Sequence, residues 1–293
     1  MEMRPECVPC LIGRVLFETE EMGGSKSTES IKAAARMLGE LFGPGACSAT
    51  VATKVHEEVY RIMGTDDPYE KLKKRSNDTM LELFPEAERF VDSSEDRLRA
   101  AFLCAVVGNV LDFGIGTRFD SPEPLREEFR NLLAEGLGWD DTSEIAAMLE
   151  GSEDVVYLAD NCGEIVLDRL ALKEISAYGP KTTLVVKEKP ILTDVTLKDL
   201  EGLDMEAIVS DIAEAPGFAV GVDPDALDGH FGDRLRKANL IIAKGMANYE
   251  ALSETDIAPV AYLLRTKCSP VADSLGLRKD INAVKLLVNG GVR

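Results

Sequence analysis

Carboxylate and amide side chains stand just after short apolar segments in the second half of the chain. Asp160 and Asn161 follow the segment 154–159, and Asp194 follows the segment 182–187. Two carboxylates with an amide oxygen form a hard donor set, which suits Mg²⁺ or Mn²⁺ and admits other divalent ions such as Co²⁺ or Ni²⁺. The three residues therefore predict a divalent metal site, with helix capping by the same side chains as the structural alternative.

Basic side chains stand at the ends of two later apolar segments. Lys244 precedes Gly245 in a glycine-containing turn, and Lys267 lies close to Arg265 at the end of another segment. The chain has a formal net charge of −19, so several basic residues at the ends of neighbouring apolar segments are not expected by chance. They predict a phosphate-binding site. Solvated lysines at strand ends are the structural alternative.

The N-terminal region carries a pair of closely spaced thiols. Cys7 and Cys10 form a C-x-x-C sequence, and the chain contains six cysteines among 293 residues. This number does not suggest a disulfide scaffold, so the pair is better considered for metal or redox chemistry. The pair does not follow a strand of a β-α-β unit, which argues against a thioredoxin-like role. Reduced thiols without a metal are the alternative.

A glycine-flanked polar segment and two histidines are further candidates. Asn109 and Asp112 lie in the segment 108–114, after an apolar helix. There they are expected to reach into a cleft between the two halves of the chain, or only to form a turn. His56 and His230 are isolated in the sequence, without the partners of a catalytic triad, and are expected to be surface or packing residues.

Two patterns of hydrophobicity divide the chain. From residue 5 to about residue 150, apolar residues recur every three or four positions, which predicts seven or eight helices and no strand. After Gly151, short β-branched segments alternate with helical ones, which predicts a mostly parallel sheet built from β-α-β units. The expected fold is α/β, with a helical domain over residues 1–150 and a Rossmann-like, three-layer α/β/α domain over residues 151–293.

Six strands are predicted in the second half, each bounded by charged residues or glycine: 154–159, 182–187, 207–210, 240–243, 259–264 and 284–288. In an open parallel sheet, ligands bind outside the carboxyl ends of the strands. The acidic, amide and basic residues described above stand at these ends. We therefore expect them to share one site.

The composition excludes several classes of protein. Asp and Glu outnumber Lys and Arg by 52 to 33, so the basic surface that nucleic-acid binding needs is not expected. No apolar run approaches the ~20 residues of a membrane span, and no signal peptide is recognisable, so a cytoplasmic protein is expected. Neither G-x-G-x-x-G nor a P-loop sequence is present, which argues against a dinucleotide enzyme and a P-loop kinase.

The motifs together resemble those of the metal-dependent damage-control phosphatase family, including an archaeal and bacterial branch with N-terminal cysteines. The matching segments occur in the family's order and cover nearly the whole chain: 7–10, 108–109 with 112–114, 160–164, 190–194, 244–250 and 267–268. One departure is Ala247, at a position where a second glycine is usual. The individual motifs are short, but their order and spacing together are specific.

The resemblance implies a helical domain on an α/β domain and hydrolysis of phosphomonoesters of small metabolites, such as sugar phosphates. It implies a divalent metal (Mn, Mg, Co or Ni) held by Asp160, Asn161 and Asp194. Lys244 and Lys267 would then be catalytic residues that face the phosphate. Asp160 would be both a metal ligand and a catalytic residue, and the attacking group would be either water or Asp160 itself.

The resemblance also implies roles for residues near the metal and the phosphate. Four of them would line the substrate pocket: Asn109, Asp112, Asn248 and Glu250. Cys268 would join Cys7 and Cys10 as the third ligand of a possible second metal, bound by thiolates, and structural zinc needs four ligands in all.

Two other functions stay open at this point. A transferase that uses S-adenosylmethionine or a nucleotide would share the parallel sheet, although the segment 160–164 is a poor version of its glycine-rich loop. A metal-binding module without catalysis would rest on Cys7, Cys10 and Cys268. Only a hydrolase is expected to release phosphate from a phosphorylated metabolite.

Overall fold

Helices make up the first half of the chain. The structure is a computed structural model and describes residues 1–109 and 125–289. Within these residues the first half holds seven α-helices: α1 (Cys7–Glu21), α2 (Ser27–Leu41), α3 (Ser48–Met63), α4 (Glu70–Asp92), α5 (Arg97–Gly108), α6 (Leu125–Ala134) and α7 (Thr142–Leu149). This number agrees with the periodicity of the sequence.

Helix α5 is buried on all sides for most of its length. Its N-cap, Asp96, accepts a hydrogen bond from the backbone N–H of Arg99 at 2.9 Å, which fixes where the helix begins. Every residue from Ala100 to Gly108 is buried. A helix with apolar residues all round belongs in the interior. It therefore delivers Asn109, the residue that follows it, to a buried position.

Seven strands form one sheet: β1 (Trp139–Asp140), β2 (Asp154–Leu158), β3 (Lys181–Lys187), β4 (Asp211–Ala215), β5 (Leu240–Lys244), β6 (Val260–Arg265) and β7 (Asn282–Leu287). Their order across the sheet is β1-β7-β6-β5-β2-β3-β4. Neighbouring strands are parallel except for β6 and β7, which are antiparallel. The predicted α/β fold with a mostly parallel sheet is confirmed.

The structure corrects two predictions about strands. The first half does contain a strand, β1, whose Trp139 pairs with Ala283 of β7, but two residues are too few to show a period in the sequence. The segment 207–210 is not a strand, because Met205–Ala207 forms a 3-10 helix and β4 begins at Asp211. Strand β4 lies at the edge of the sheet and is partly exposed, so it lacks the continuous apolar run of an interior strand.

Helices cover both faces of the sheet. The second half adds four α-helices and three 3-10 helices: α8 (Glu164–Ser176), α9 (His230–Lys237), α10 (Gly245–Leu252), α11 (Ser269–Leu275), and Leu197–Leu200, Met205–Ala207 and Pro224–Asp228. Side chains of β2 alternate between two apolar cores: Val155 and Tyr157 belong to one, Val156 and Leu158 to the other. No helix in the described ranges is long and apolar enough to cross a membrane.

One of the two cores joins both halves of the chain. It contains Val55 of α3, Phe102 of α5 and Ile165 of α8 among its buried members. Burying apolar side chains from α5 and α8 against each other stabilises the contact between the helical half and the sheet. The division into domains at residue 150 stays a prediction.

Candidate functional site

The sheet order brings three loops together at the carboxyl edge. Strand β2 lies between β3 and β5 and runs parallel to both. The chain continues from β2 to β3 on one side and reaches β5 on the other side only later, so the strand order reverses between β2 and β5. Ligand sites in open α/β sheets form at such a point. The segments that follow β2, β3 and β5 carry Asp160, Asp194 and Gly245, the last of which is the first residue of α10.

Asp160 and Asn161 form the centre of a buried polar cluster. Oδ2 of Asp160 accepts hydrogen bonds from Nδ2 of Asn109 at 2.9 Å and from Nδ2 of Asn161 at 2.6 Å. The hydroxyl of Thr193 donates to Oδ1 of Asn161 at 2.6 Å. All four side chains are buried. The end of α5 and the loops after β2 and β3 thus meet through these side chains.

Backbone hydrogen bonds lock the loops after β2 and β3 to each other. The N–H of Val195 donates to the carbonyl of Asp160 at 2.8 Å, and the N–H of Cys162 donates to the carbonyl of Thr193 at 2.8 Å. Asn161 and Asp194 form an isolated antiparallel bridge. These hydrogen bonds fix the positions of the two loops relative to each other. The carboxylates of Asp160 and Asp194 can therefore serve as ligands of one metal ion.

Lys187, the last residue of β3, is a buried cation beside this cluster. Its Nζ lies 3.4 Å from Oδ2 of Asp194. The ammonium also donates to the carbonyl of Ala219 at 3.1 Å and to the carbonyl of Gly221. From the sequence, Lys187 is only the last residue of a predicted strand. Its contact with Asp194 depends on the segment around Gly221, whose carbonyls accept from the ammonium in the folded chain.

Lys244 does not lie where the sequence analysis expects it. Its side chain is fully buried, and Nζ donates to Glu164, to Asp168 at 2.7 Å and to the carbonyl of Ala105 at 3.1 Å. Lys244 shares the face of β5 that carries Ile242, and this face packs against α5 and α8. Because side chains alternate along a strand, the ammonium of Lys244 lies on the face of the sheet that packs against α5 and α8. There it contacts the carboxylates of Glu164 and Asp168, and it does not line the cavity.

Burial and charge oppose each other in this buried triad. Although burial alone would lower the pKa of Lys244, the carboxylates of Asp168 and Glu164 raise it above its ordinary value. Burial raises the pKa of Asp168, against the opposing effect of the Lys244 ammonium. The three groups depend on one another, because removing one partner leaves an uncompensated charge in the interior.

Glu164 connects this triad to the acidic cluster. One carboxylate oxygen accepts from Lys244, and the other, Oε2, accepts from Nδ2 of Asn109 at 2.6 Å. Oδ1 of Asn109 is buried and has no hydrogen-bond partner among the described residues. Buried polar atoms are nearly always satisfied, so this oxygen has the capacity to accept one further hydrogen bond.

Gly245 leaves room for the carboxylate of Asp160. Its φ of +72° lies in the left-handed region, and a Cβ at this position would lie 1.7 Å from Oδ2 of Asp160. Only glycine allows the start of α10 to pass so close to the carboxylate. The carboxylate and amide oxygens of Asp160, Asn161 and Asp194 suit a hard divalent cation.

A cavity of about 400 Å³ opens onto this edge of the sheet. It is lined by the proposed metal ligands Asp160, Asn161 and Asp194, and by Lys267 and Glu250 from the sequence analysis. The cavity therefore brings together carboxylates, an amide and a cation that come from four different loops or helices. Such an arrangement can bind an anionic ligand together with a cation.

The remaining predicted pocket residues lie elsewhere. Asn248 is buried inside α10, where Nδ2 donates to the carbonyls of Ala159 at 3.1 Å and Lys244 at 2.8 Å, so it ties α10 to the end of β2. Asn109 lies behind Asp160 and does not line the cavity. Asp112 lies outside the described residues.

Three cysteines line one wall of the same cavity. They are Cys7 and Cys10 of α1, and Cys268 before α11. Burial raises the pKa of Cys7 and raises that of Cys268 to about 11. Within the ranges that the structure describes, no three His, Cys, Asp or Glu side chains are arranged to hold a metal ion. The second metal, on Cys7, Cys10 and Cys268, stays a prediction.

Comparisons with known proteins decide the family. The model of the ARMT1-like damage-control phosphatase domain matches residues 3–282, which is nearly the whole chain. The chain belongs to the damage-control phosphatase family. This membership makes the protein a phosphatase, a class of hydrolase, and selects this function among those that the sequence motifs left open.

Two curated relatives in the family match over nearly their full length. A damage-control phosphatase of Archaeoglobus fulgidus is 35% identical, over 94% of this chain and 96% of the relative. The damage-control phosphatase PH1575 of Pyrococcus horikoshii is 30% identical, over 95% of this chain and 96% of the relative. The crystal structure of PH1575, described as a DUF89 family protein, superposes with a TM-score of 0.84 at 27% identity and covers 99% of both chains.

Proposed function

We propose that this damage-control phosphatase is a metal-dependent phosphomonoester hydrolase that acts on small phosphorylated metabolites such as sugar phosphates. The observation that carries the proposal is the position of Asp160, Asn161 and Asp194 on one cavity, at the point where the strand order reverses. The cavity volume of about 400 Å³ suits a small metabolite.

Asp160, Asn161 and Asp194 are the residues that would hold the metal. When bound, a divalent cation supplies positive charge to the phosphate oxygens. Mg²⁺, Mn²⁺, Co²⁺ and Ni²⁺ all accept oxygen ligands of this kind. The hydrogen bonds from Asn109 and Asn161 orient the carboxylate of Asp160, and the ammonium of Lys187 does the same for Asp194.

Lys267 and Lys244 have different roles in this proposal. Lys267 lines the cavity and binds the phosphate directly. Lys244 holds Glu164 through a buried ion pair, and Glu164 in turn holds Asn109 against Asp160. Lys244 thus acts on the site by positioning its carboxylates. Glu250 of α10 lines the same cavity and contacts the organic part of the substrate.

The test measures phosphate release from a panel of phosphorylated metabolites with Mg²⁺, Mn²⁺, Co²⁺ and Ni²⁺ in turn. Asp160→Asn and Asp194→Asn are each expected to lower turnover by at least ~100-fold, the scale of one lost electrostatic stabiliser. Asp154→Asn, at the opposite end of β2, is the matched control and should leave turnover unchanged. Equal activity after complete chelation, or near-normal turnover of the Asp160 and Asp194 variants, contradicts the proposal.

A further inference from the structure

Glu18 and His56 form a buried pair that the proposed function does not use. Nδ1 of His56 lies 2.9 Å and 3.1 Å from the two carboxylate oxygens of Glu18, and neither side chain is exposed to solvent. Glu18 belongs to α1 and His56 to α3, so the pair also joins two helices. A carboxylate at Nδ1 places a proton there and fixes the orientation of the ring.

The other ring nitrogen of His56 lacks a partner. Nε2 is buried, and none of the described residues forms a hydrogen bond with it. A purely structural histidine in a protein interior normally has both nitrogens satisfied. With the proton on Nδ1, Nε2 of the neutral ring is a hydrogen-bond acceptor. The pair therefore presents one oriented, unused acceptor.

His56 lies on the face of α3 that lines the cavity, and its side chain is buried. Ser48, Ala52 and His56 follow one another at intervals of four residues on α3, and all three line the cavity. One turn further on, the hydroxyl of Tyr60 accepts a hydrogen bond from the backbone N–H of Leu192 at 2.9 Å. Leu192 precedes Asp194 by two residues and also lines the cavity.

Apolar side chains lie among the residues that line this cavity. Leu11 of α1, Ala52 of α3 and Val220 line the same cavity. In such surroundings an unsatisfied acceptor disfavours a ligand that offers only apolar groups, whereas a ligand with a hydroxyl completes the hydrogen bond. Sites built in this way discriminate strongly between a hydroxylated substrate and an analogue that lacks the hydroxyl.

We propose that His56 determines substrate specificity, with its Nε2 accepting a hydrogen bond from a hydroxyl group in the organic part of the phosphorylated substrate. Glu18 is the positioning residue of His56. The inference rests on the proposed function and extends it, because it makes the substrates phosphate esters of hydroxylated small molecules. The sequence analysis treats His56 only as a surface or packing residue.

The test compares two esters on the metal-loaded enzyme: the sugar phosphate that the wild type hydrolyses fastest, and p-nitrophenyl phosphate, which has no hydroxyl. His56→Asn retains an amide near the position of Nδ1 and has no atom at Nε2. It is expected to lower kcat/KM about tenfold for the sugar phosphate, the scale of one lost hydrogen bond in an apolar site. The value for p-nitrophenyl phosphate should change less than twofold.

Glu18 is tested by the ratio of the two kcat/KM values. Glu18→Leu removes the group that orients the imidazole and is expected to lower the ratio. Glu18→Gln keeps an oxygen that accepts from Nδ1 and is expected to restore most of the wild-type ratio. A merely structural role would lower thermal stability and affect both esters alike, which would leave the ratio unchanged and contradict the proposal.

Calorimetric binding of the sugar phosphate separates the failure of this inference from that of the proposed function. If the His56 and Glu18 variants lose activity equally on both esters, or on neither, the inference is overturned and the proposed function stands. If the wild type binds the sugar phosphate without releasing phosphate, and His56→Asn weakens this binding about tenfold, the inference holds and the proposed function fails. A wild type that neither binds nor hydrolyses any sugar phosphate overturns both.

Discussion

Nδ2 of Asn109 lies 2.9 Å from Oδ2 of Asp160, so the end of a buried helix is in direct contact with the carboxylate at the end of the second strand. The same amide donates to Glu164 at 2.6 Å. Asn109 thereby links the helical half of the chain to the acidic cluster. The geometry of the cluster depends on residues that do not themselves line the cavity.

The first prediction concerns this contact. Asn109→Ala removes a donor from both Asp160 and Glu164, so the carboxylates repel each other and Asp160 loses its orientation. Metal affinity should fall at least ~10-fold, as expected for the loss of a residue that orients a ligand. Titration of phosphate release with metal measures this change. Asn131→Ala, an exposed asparagine of α6, is the control and should show wild-type affinity.

The second prediction concerns the close approach of Gly245 to Asp160. Gly245→Ala places a Cβ in the position occupied by the carboxylate and should lower kcat about 100-fold, the scale of an ångström-sized displacement in an active site. Gly276→Ala is a matched control, because Gly276 also has a positive φ but no atom within 4 Å of an added Cβ. Equal kinetic effects of the two substitutions would show that backbone strain alone is responsible.

The third prediction concerns Lys267. Lys267→Ala should lower kcat/KM about 10- to 100-fold, mainly through a higher KM, because a charged hydrogen bond contributes roughly 1.5–3 kcal/mol. Lys181→Ala removes an exposed lysine at the opposite end of β3 and should have no effect. Steady-state kinetics with inorganic phosphate as an inhibitor measure both changes. If both variants behave alike, Lys267 contributes only to the general charge of the surface.

The fourth prediction concerns the buried triad. Lys244→Met leaves Glu164 and Asp168 without their cation and should lower the free energy of unfolding by about 3–5 kcal/mol, measured by urea denaturation at pH 8. Lys181→Met serves as the exposed control. A loss below 1 kcal/mol would mean that the triad contributes little to stability.

The triad also gives a pH dependence with a definite sign. Burial raises the folded-state pKa of Asp168 to about 7, above the unfolded value of 3.8, so the folded state retains the proton between these values. Because the folded state binds this proton more tightly, protonation of Asp168 stabilises the folded state at low pH. This contribution is lost as the pH rises from 3.8 through about 7. The destabilisation by Lys244→Met should therefore be smaller at pH 5 than at pH 8, because protonation neutralises the carboxyl that has lost its partner.

The fifth prediction concerns the three thiols of the cavity wall. Protein purified without chelator is expected to carry zinc or iron on Cys7, Cys10 and Cys268, detectable by elemental analysis. Thiols must lose their protons to bind a metal, and burial raises the pKa of Cys268 to about 11, so zinc affinity should rise between pH 6 and pH 8. Cys7→Ser with Cys10→Ser should lower thermal stability more than turnover. If the wild type contained no more zinc or iron than the variant in which Cys7, Cys10 and Cys268 are all replaced by Ser, the assignment would be contradicted.

Much of the acidic cluster could be predicted from the sequence. Asp160 and Asn161 stand just after β2, and Asp194 lies in the segment that follows β3. Parallel topology brings the segments after such strands to one edge of the sheet. The direction of Lys244 could not be predicted, because the face of a strand that meets a given helix depends on packing. The contact between Lys187 and Asp194 also depends on a loop that returns from residues 219–221.

The pairing of Glu18 with His56 shows a second limit. The two residues are 38 positions apart on different helices, and neither has a recognisable motif around it. Only the packing of α1 against α3 brings the carboxylate to the ring. Short motifs at strand ends are therefore readable from the sequence, whereas pairs formed between the faces of separate helices are not.

The pairing of β1 with β7 constrains the order in which the chain can fold. Trp139 and Asp140 take their places in the sheet beside β7, a strand made of residues 282–287. During synthesis on the ribosome, β1 therefore emerges long before its partner, and β6 presents an unpaired edge until β7 arrives. Such an edge can pair with another chain. We expect nascent chains that stop before residue 282 to depend on chaperones for solubility.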